Sequence, residues 1–90
     1  MKIEIYAREN PPCPFCINAK KWFKAKNLDF VEYDVTVGDT KIMLDSRLGH
    51  QARTVPQIFI NDQYIGGYTD LIASEFAKSL INNDLNGLSL

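Results

Sequence analysis

The sequence predicts an α/β domain built on a mixed four-stranded sheet flanked by helices, in the order β-α-β-α-β-β-α. Three observations carry this reading. A strand–helix–strand pattern opens the chain, and such a crossover makes its two strands parallel. Two β-rich runs then flank a short turn, as in an antiparallel hairpin. An amphipathic segment follows, able to cover one face of the sheet.

Taken in order, "KIEIY" alternates polar and apolar residues and fits a strand over Lys2–Tyr6. "ARENPP" breaks it. From Pro14 to about Asn27 the period becomes helical, with Cys16, Ala19 and Phe23 on one stripe beside Trp22, and Lys20, Lys21 and Lys24 pointing away. Proline suits the first helical turn, where its missing N–H would have had no intrahelical partner, so Cys13 falls at the N-cap and Cys16 one turn inside. "FVEYDV" reads as the second strand, rich in aromatic and β-branched residues. The next helix takes Asp39 as its cap, Ile42, Met43 and Leu44 as its apolar residues and Gly49 as its stop. "PQIFI" and "QYIGG" form a hairpin around "ND". Leu71, Ile72, Phe76 and Leu80 give one final helix over about Thr69–Ile81. The domain is placed at residues 1–82, with a frayed tail over 83–90, where periodicity gives way to Asn, Asp and Gly.

The length of 90 residues suits one domain with a modest core. A hydrophobic share of 46% and a charged share of 23% place the chain among ordinary soluble globular proteins. The net charge of −1 makes no general electrostatic case for nucleic acid or an anionic membrane. No apolar run approaches the roughly 20 residues of a membrane span, and the apolar stretch in "MKIEIYAREN" is too short for a signal peptide. The expectation is a cytoplasmic monomer in a reducing setting. There a close cysteine pair is more often catalytic or metal-binding than a permanent staple.

The only cysteines, Cys13 and Cys16, stand in "NPPCPFCINAK". A structural zinc site needs about four ligands, and only His50 could join the pair without carboxylates or a second subunit. A purely structural disulfide here would close a very small loop, where loop-closure stabilisation is least. The redox reading has a positive mechanism. Thiolate, not thiol, attacks a disulfide. A sulfur at a helix N-terminus faces unpaired N–H groups and the positive end of the dipole, worth up to about 2 kcal/mol to an anion. Cys13 gains this help and Cys16 gains little, so Cys13 is the nucleophile and Cys16 the resolving thiol. C-x-x-C beside a βαβ pattern reads as a redox motif.

"EIYARENPPCPFC", followed by "ARTVPQIFI" and "IGGYTDL", resembles a dithiol glutaredoxin of the thioredoxin-like fold, over residues 2 to about 81. The family reads C-P-Y-C where this chain has Phe15. The resemblance implies a glutathione-dependent thiol–disulfide oxidoreductase that requires no metal. It implies a cis bond before Pro56, and pairing of the cysteinyl unit of glutathione with the backbone of Val55, as though adding a strand. It further implies that the γ-glutamyl carboxylate sits on backbone N–H groups near Tyr68 and Thr69, a use of a helix start with a clear physical basis, and that Asp70 pairs with the γ-glutamyl amine. Phe15, Thr54 and Gly67 complete the implied contacts. Arg8 and Arg53 match basic family positions for the glycyl carboxylate, which arginine can grip with two parallel hydrogen bonds; Lys41 is a further candidate. Each of these charges could equally be a solvated surface group, Gly66-Gly67 a simple tight turn, and Pro56 a strand-starting proline.

Protein disulfides and glutathione mixed disulfides are the implied substrates, with ribonucleotide reductase a usual client of the family. Two alternatives stay open: a thioredoxin-like carrier reduced directly by a flavoprotein reductase, and an iron–sulfur carrier sharing a cluster through Cys13 and glutathione. A catalytically silent binding module is disfavoured by the presence of both cysteines.

Overall fold

The computed structural model describes residues 1–80, so the tail expected over 83–90 lies outside the described residues. The elements are β1 (Ile3–Ala7), α1 (Pro14–Ala25), β2 (Val31–Asp34), α2 (Thr40–Leu48), β3 (Gln57–Ile60), β4 (Gln63–Gly66) and α3 (Tyr68–Ile72). The sheet runs β2-β1-β3-β4. β1 pairs parallel with β2 and antiparallel with β3, which in turn pairs antiparallel with β4, so the expected mixed sheet is present.

Polar and apolar residues alternate in β1, yet all five of its residues are buried. Ile3, Ile5 and Ala7 join Cys13, Cys16, Ala19, Phe23, Ile58, Ile60 and Leu71 in one cluster, while Tyr6 joins Leu44, Ala52 and Phe59 in another. Glu4 is buried because its charge is met. Arg47 on α2 donates to its Oε1 at 2.8 Å while the guanidinium lies 3.9 Å over the Phe59 ring. Tyr33 donates to its Oε2 at 3.4 Å and stacks on Tyr6, with ring centroids 4.9 Å apart. A buried carboxylate is tolerable only when so paired.

α2 departs from expectation in two respects. Asp39 holds the N-cap position but makes no side-chain capping bond. Of the three consecutive apolar residues Ile42, Met43 and Leu44 only Leu44 is buried, with Ile42 and Met43 at 67% and 63% exposure. Consecutive residues on a helix point about 100° apart, so three in a row cannot share one face. The helix is secured instead by Leu44, by Arg47 and by Asp45, which accepts from the Ala52 N–H at 2.7 Å. Gly49 ends it in the left-handed region, at φ +80°.

The single closing helix is two segments. α3 ends at Ile72, and a second helical stretch covers 75–80. Ser74 causes the break. Its hydroxyl donates to the Leu71 carbonyl at 2.6 Å and accepts from the Ala77 N–H at 3.1 Å, which caps the new segment. Ala77, rather than Ile72, then takes the buried position.

Candidate active site

α1 begins where the sequence places it. Cys13 is the N-cap, with extended backbone at φ −125° and ψ 97°, and Pro14 follows in the first turn. The Cys16 N–H donates to Cys13 Sγ at 3.1 Å. This is one of the orphan donors of a helix start, and a sulfur there takes the place of a capping oxygen. Cys13 and Cys16 are joined as a disulfide, with their Cα atoms 5.2 Å apart. The Val55 carbonyl lies 3.5 Å from Cys13 Sγ, from the loop that leads into β3. The Val55–Pro56 bond is cis, in keeping with the resemblance, and so is Asn10–Pro11.

A cavity of about 250 Å³ adjoins this loop. Eight of the residues named from sequence line it: Phe15, Thr54, Val55, Pro56, Gly67, Tyr68, Thr69 and Asp70. Phe15 and Tyr68 face each other across it, with ring centroids 6.4 Å apart. Asp70 is fixed by the start of α3, where its Oδ2 accepts from the Gly67 N–H at 2.9 Å.

The basic residues stand apart from this lining. Arg8 donates from Nε to the Pro11 carbonyl at 3.0 Å, bracing the loop that leads to Cys13. Arg53 is exposed and precedes the lining residue Thr54. Lys41 is committed to Asp45, one turn along α2, at 2.6 Å. Two lining residues escaped the sequence reading, Gln57 and Tyr64. A polar residue in the otherwise apolar run "PQIFI" was the available signal for Gln57. Among the described residues, no group of three or more His, Cys, Asp and Glu side chains could hold a metal ion. No helix among them is long and apolar enough to cross a membrane.

A family model described as glutaredoxin matches residues 3–65. The chain belongs to the glutaredoxin family. A glutaredoxin of Vibrio cholerae is 43% identical over 79 residues, covering 81% of this chain and 88% of that one. Glutaredoxin 1 of Escherichia coli is 38% identical over 79 residues, covering 81% and 91%. A probable glutaredoxin of Synechocystis is 43% identical over 70 residues, a match that spans 78% of this chain but 62% of that relative. Among solved structures, glutaredoxin 1 from Francisella tularensis, complexed with cacodylate, superposes with a TM-score of 0.70 at 34% identity, covering 90% of this chain and 96% of the other. The glutaredoxin fold is thus present as well as its sequence pattern. With Cys13 and Cys16 at bonding distance, this glutaredoxin is a thiol–disulfide oxidoreductase.

Proposed function

We propose that this glutaredoxin uses glutathione to reduce glutathione mixed disulfides and protein disulfides, with Cys13 attacking and Cys16 resolving. One observation carries the reading. The cavity beside Cys13 combines the backbone of Val55, just ahead of β3, with an aromatic pair and the carboxylate of Asp70. Those features match a short zwitterionic peptide bearing a thiol: backbone for the cysteinyl unit, an anion for the γ-glutamyl amine. The family resemblance adds the Tyr68 and Thr69 N–H groups for the γ-glutamyl carboxylate, and Arg8 or Arg53 for the glycyl carboxylate.

With a glutathione mixed disulfide, the Cys13 thiolate attacks the glutathionyl sulfur, and the client sulfur leaves as thiolate and takes a proton. A second glutathione thiolate then attacks the glutathionyl sulfur on Cys13, releasing glutathione disulfide and regenerating Cys13. With a protein disulfide, Cys13 attack leaves enzyme and client joined. Cys16, as thiolate, attacks Cys13 Sγ and frees the reduced client, forming the Cys13–Cys16 bond seen here. Two glutathione molecules restore the dithiol and leave as glutathione disulfide. The corresponding setting is a cytoplasmic monomer with ribonucleotide reductase among its clients, a reading that rests on family resemblance.

The test is a coupled assay with a glutathione mixed disulfide, glutathione, glutathione reductase and NADPH. Turnover that saturates with the mixed disulfide is the expected result. Reduction of the protein only by a flavoprotein reductase, with glutathione inert, would make it a thioredoxin-like carrier instead. Visible absorbance in anaerobically purified protein would point to an iron–sulfur carrier.

A further inference from the structure

Gln57 is only 6% exposed, and its carboxamide is bonded at both ends. Nε2 donates to the Thr54 carbonyl at 2.9 Å and to Thr54 Oγ1 at 3.2 Å. Oε1 accepts from the Tyr64 hydroxyl at 2.5 Å. The polarity of this chain of bonds is forced. A carbonyl can only accept, so the amide nitrogen must face Thr54 and the amide oxygen must face Tyr64. Tyr64 has a single hydroxyl proton, and it is committed to Gln57. The phenolic oxygen is left with acceptor capacity only.

Tyr64 lines the same cavity as Asp70. Burial, and then the charge of Asp70, hold its phenol above the usual range, so it stays neutral at pH 7. Among the described residues Asp70 forms no ion pair, and only its Oδ2 has a protein donor. Tyr64 and Asp70 therefore both present electron pairs, and no proton, to a group bound between them.

We propose that Tyr64, oriented by Gln57, is a second acceptor beside Asp70 for the substrate ammonium, making this end of the cavity a selector for γ-glutamyl peptides that carry a free amine. The inference rests on the glutathione reading above and deepens it. An ammonium brings three donors, and each needs an acceptor when it leaves water. Asp70 supplies charge and Tyr64 supplies a further, directional partner. A peptide without the amine leaves the phenolic oxygen unpartnered and the carboxylate uncompensated. Gln57 is the positioning residue in this scheme.

The test compares two mixed disulfides of one small thiol, one made with glutathione and one with glutaryl-cysteinylglycine, which lacks only the amine. Tyr64→Phe removes one oxygen from a ring that is 48% exposed but leaves Gln57 Oε1 without its donor, so each variant is assayed at a temperature where its melting curve shows it folded. The wild-type protein should prefer the amine-bearing substrate through KM. Tyr64→Phe should raise KM for that substrate about 3- to 10-fold, the range of one ordinary hydrogen bond, with kcat unchanged and with KM for the analogue unmoved. Gln57→Leu should lower the same selectivity ratio, and the double variant should lose no more than Tyr64→Phe alone. An unchanged KM for the glutathione substrate, or an equal rise for both substrates, would overturn the role of Tyr64 while leaving glutathione as the substrate. Additive losses in the double variant would overturn the role of Gln57. A wild-type protein that turns over neither substrate would overturn the glutathione reading, and this inference with it.

Discussion

The carboxylate of Asp70 occupies the space that a side chain on Gly66 would need: a Cβ built there falls 2.8 Å from Asp70 Cγ. Gly66 also sits at φ +117°, where a side chain is strained whatever the room. The glycine thus lets the carboxylate fold back against the chain and reach the Gly67 N–H. Gly66→Ala should destabilise the protein by about 1–3 kcal/mol in urea unfolding and raise KM for a glutathione substrate. Adding Asp70→Ala should then change KM little, because the carboxylate has already been displaced. Full additivity would show that Gly66 acts by some other route.

The division of labour between the cysteines predicts opposite phenotypes. Cys13→Ser should abolish every activity, since serine is not ionised near neutral pH. Cys16→Ser should keep deglutathionylation, where a second glutathione completes the cycle, and lose most reduction of protein disulfides. There the release step depends on a thiol held close on the same helix, with a large effective concentration. Both substrates run on that variant decide the matter. Equal loss of the two activities would give Cys16 a role beyond resolution.

The same asymmetry should appear in the reduced protein without any substrate. The Cys16 N–H aims at Cys13 Sγ from 3.1 Å, and Cys16 itself is wholly buried. Brief iodoacetamide treatment at pH 7, followed by peptide mass spectrometry, should therefore find the adduct on Cys13 and little on Cys16. Equal labelling would remove the basis for naming one nucleophile.

A pH dependence follows from Glu4. The hydrogen bond from Arg47 holds its carboxyl below the usual value of 4.5, despite the opposing effect of burial. A depressed carboxyl contributes stability that is complete above its unfolded value and is lost as pH falls through the folded one. Glu4→Gln should cost about 1.5–3 kcal/mol at pH 7, the worth of a hydrogen bond between charged groups. That gap should hold down to about pH 5, shrink as pH falls past the unfolded value of 4.5, and vanish only below the folded one. A gap that ignored pH would mean the variant fails through packing alone.

These cases also show what could be read from sequence. The N-cap at Cys13, the stop at Gly49 and the turn at Asn61 and Asp62, both at positive φ, are properties of a few adjacent residues. Hydrophobic period and turn chemistry express them directly. The Glu4–Arg47 pair spans 43 positions, so periodicity reads Glu4 as a solvent-facing residue. Gln57 and Tyr64 are seven apart and meet only because β3 and β4 pair. Ser74 could have been read as a second cap, but the apolar spacing through it favoured one unbroken helix. Of the implied glutathione contacts, those carried by backbone turns and the α3 start line the cavity. Arg8 does not, because its guanidinium is engaged by the Pro11 carbonyl.

β1 has neighbours on both faces as well as both edges, and that has a thermodynamic consequence. Ile5 and Tyr6, adjacent in the chain, serve opposite clusters, and no flexible joint separates them. Neither half of the interior can dissolve while the other keeps its central strand in place. The domain should melt as one cooperative unit, and Trp22, the only tryptophan, should report the same midpoint as the tyrosines Tyr6 and Tyr33. The redox centre thus has no private weak point: it is lost when the whole fold is lost, and not before.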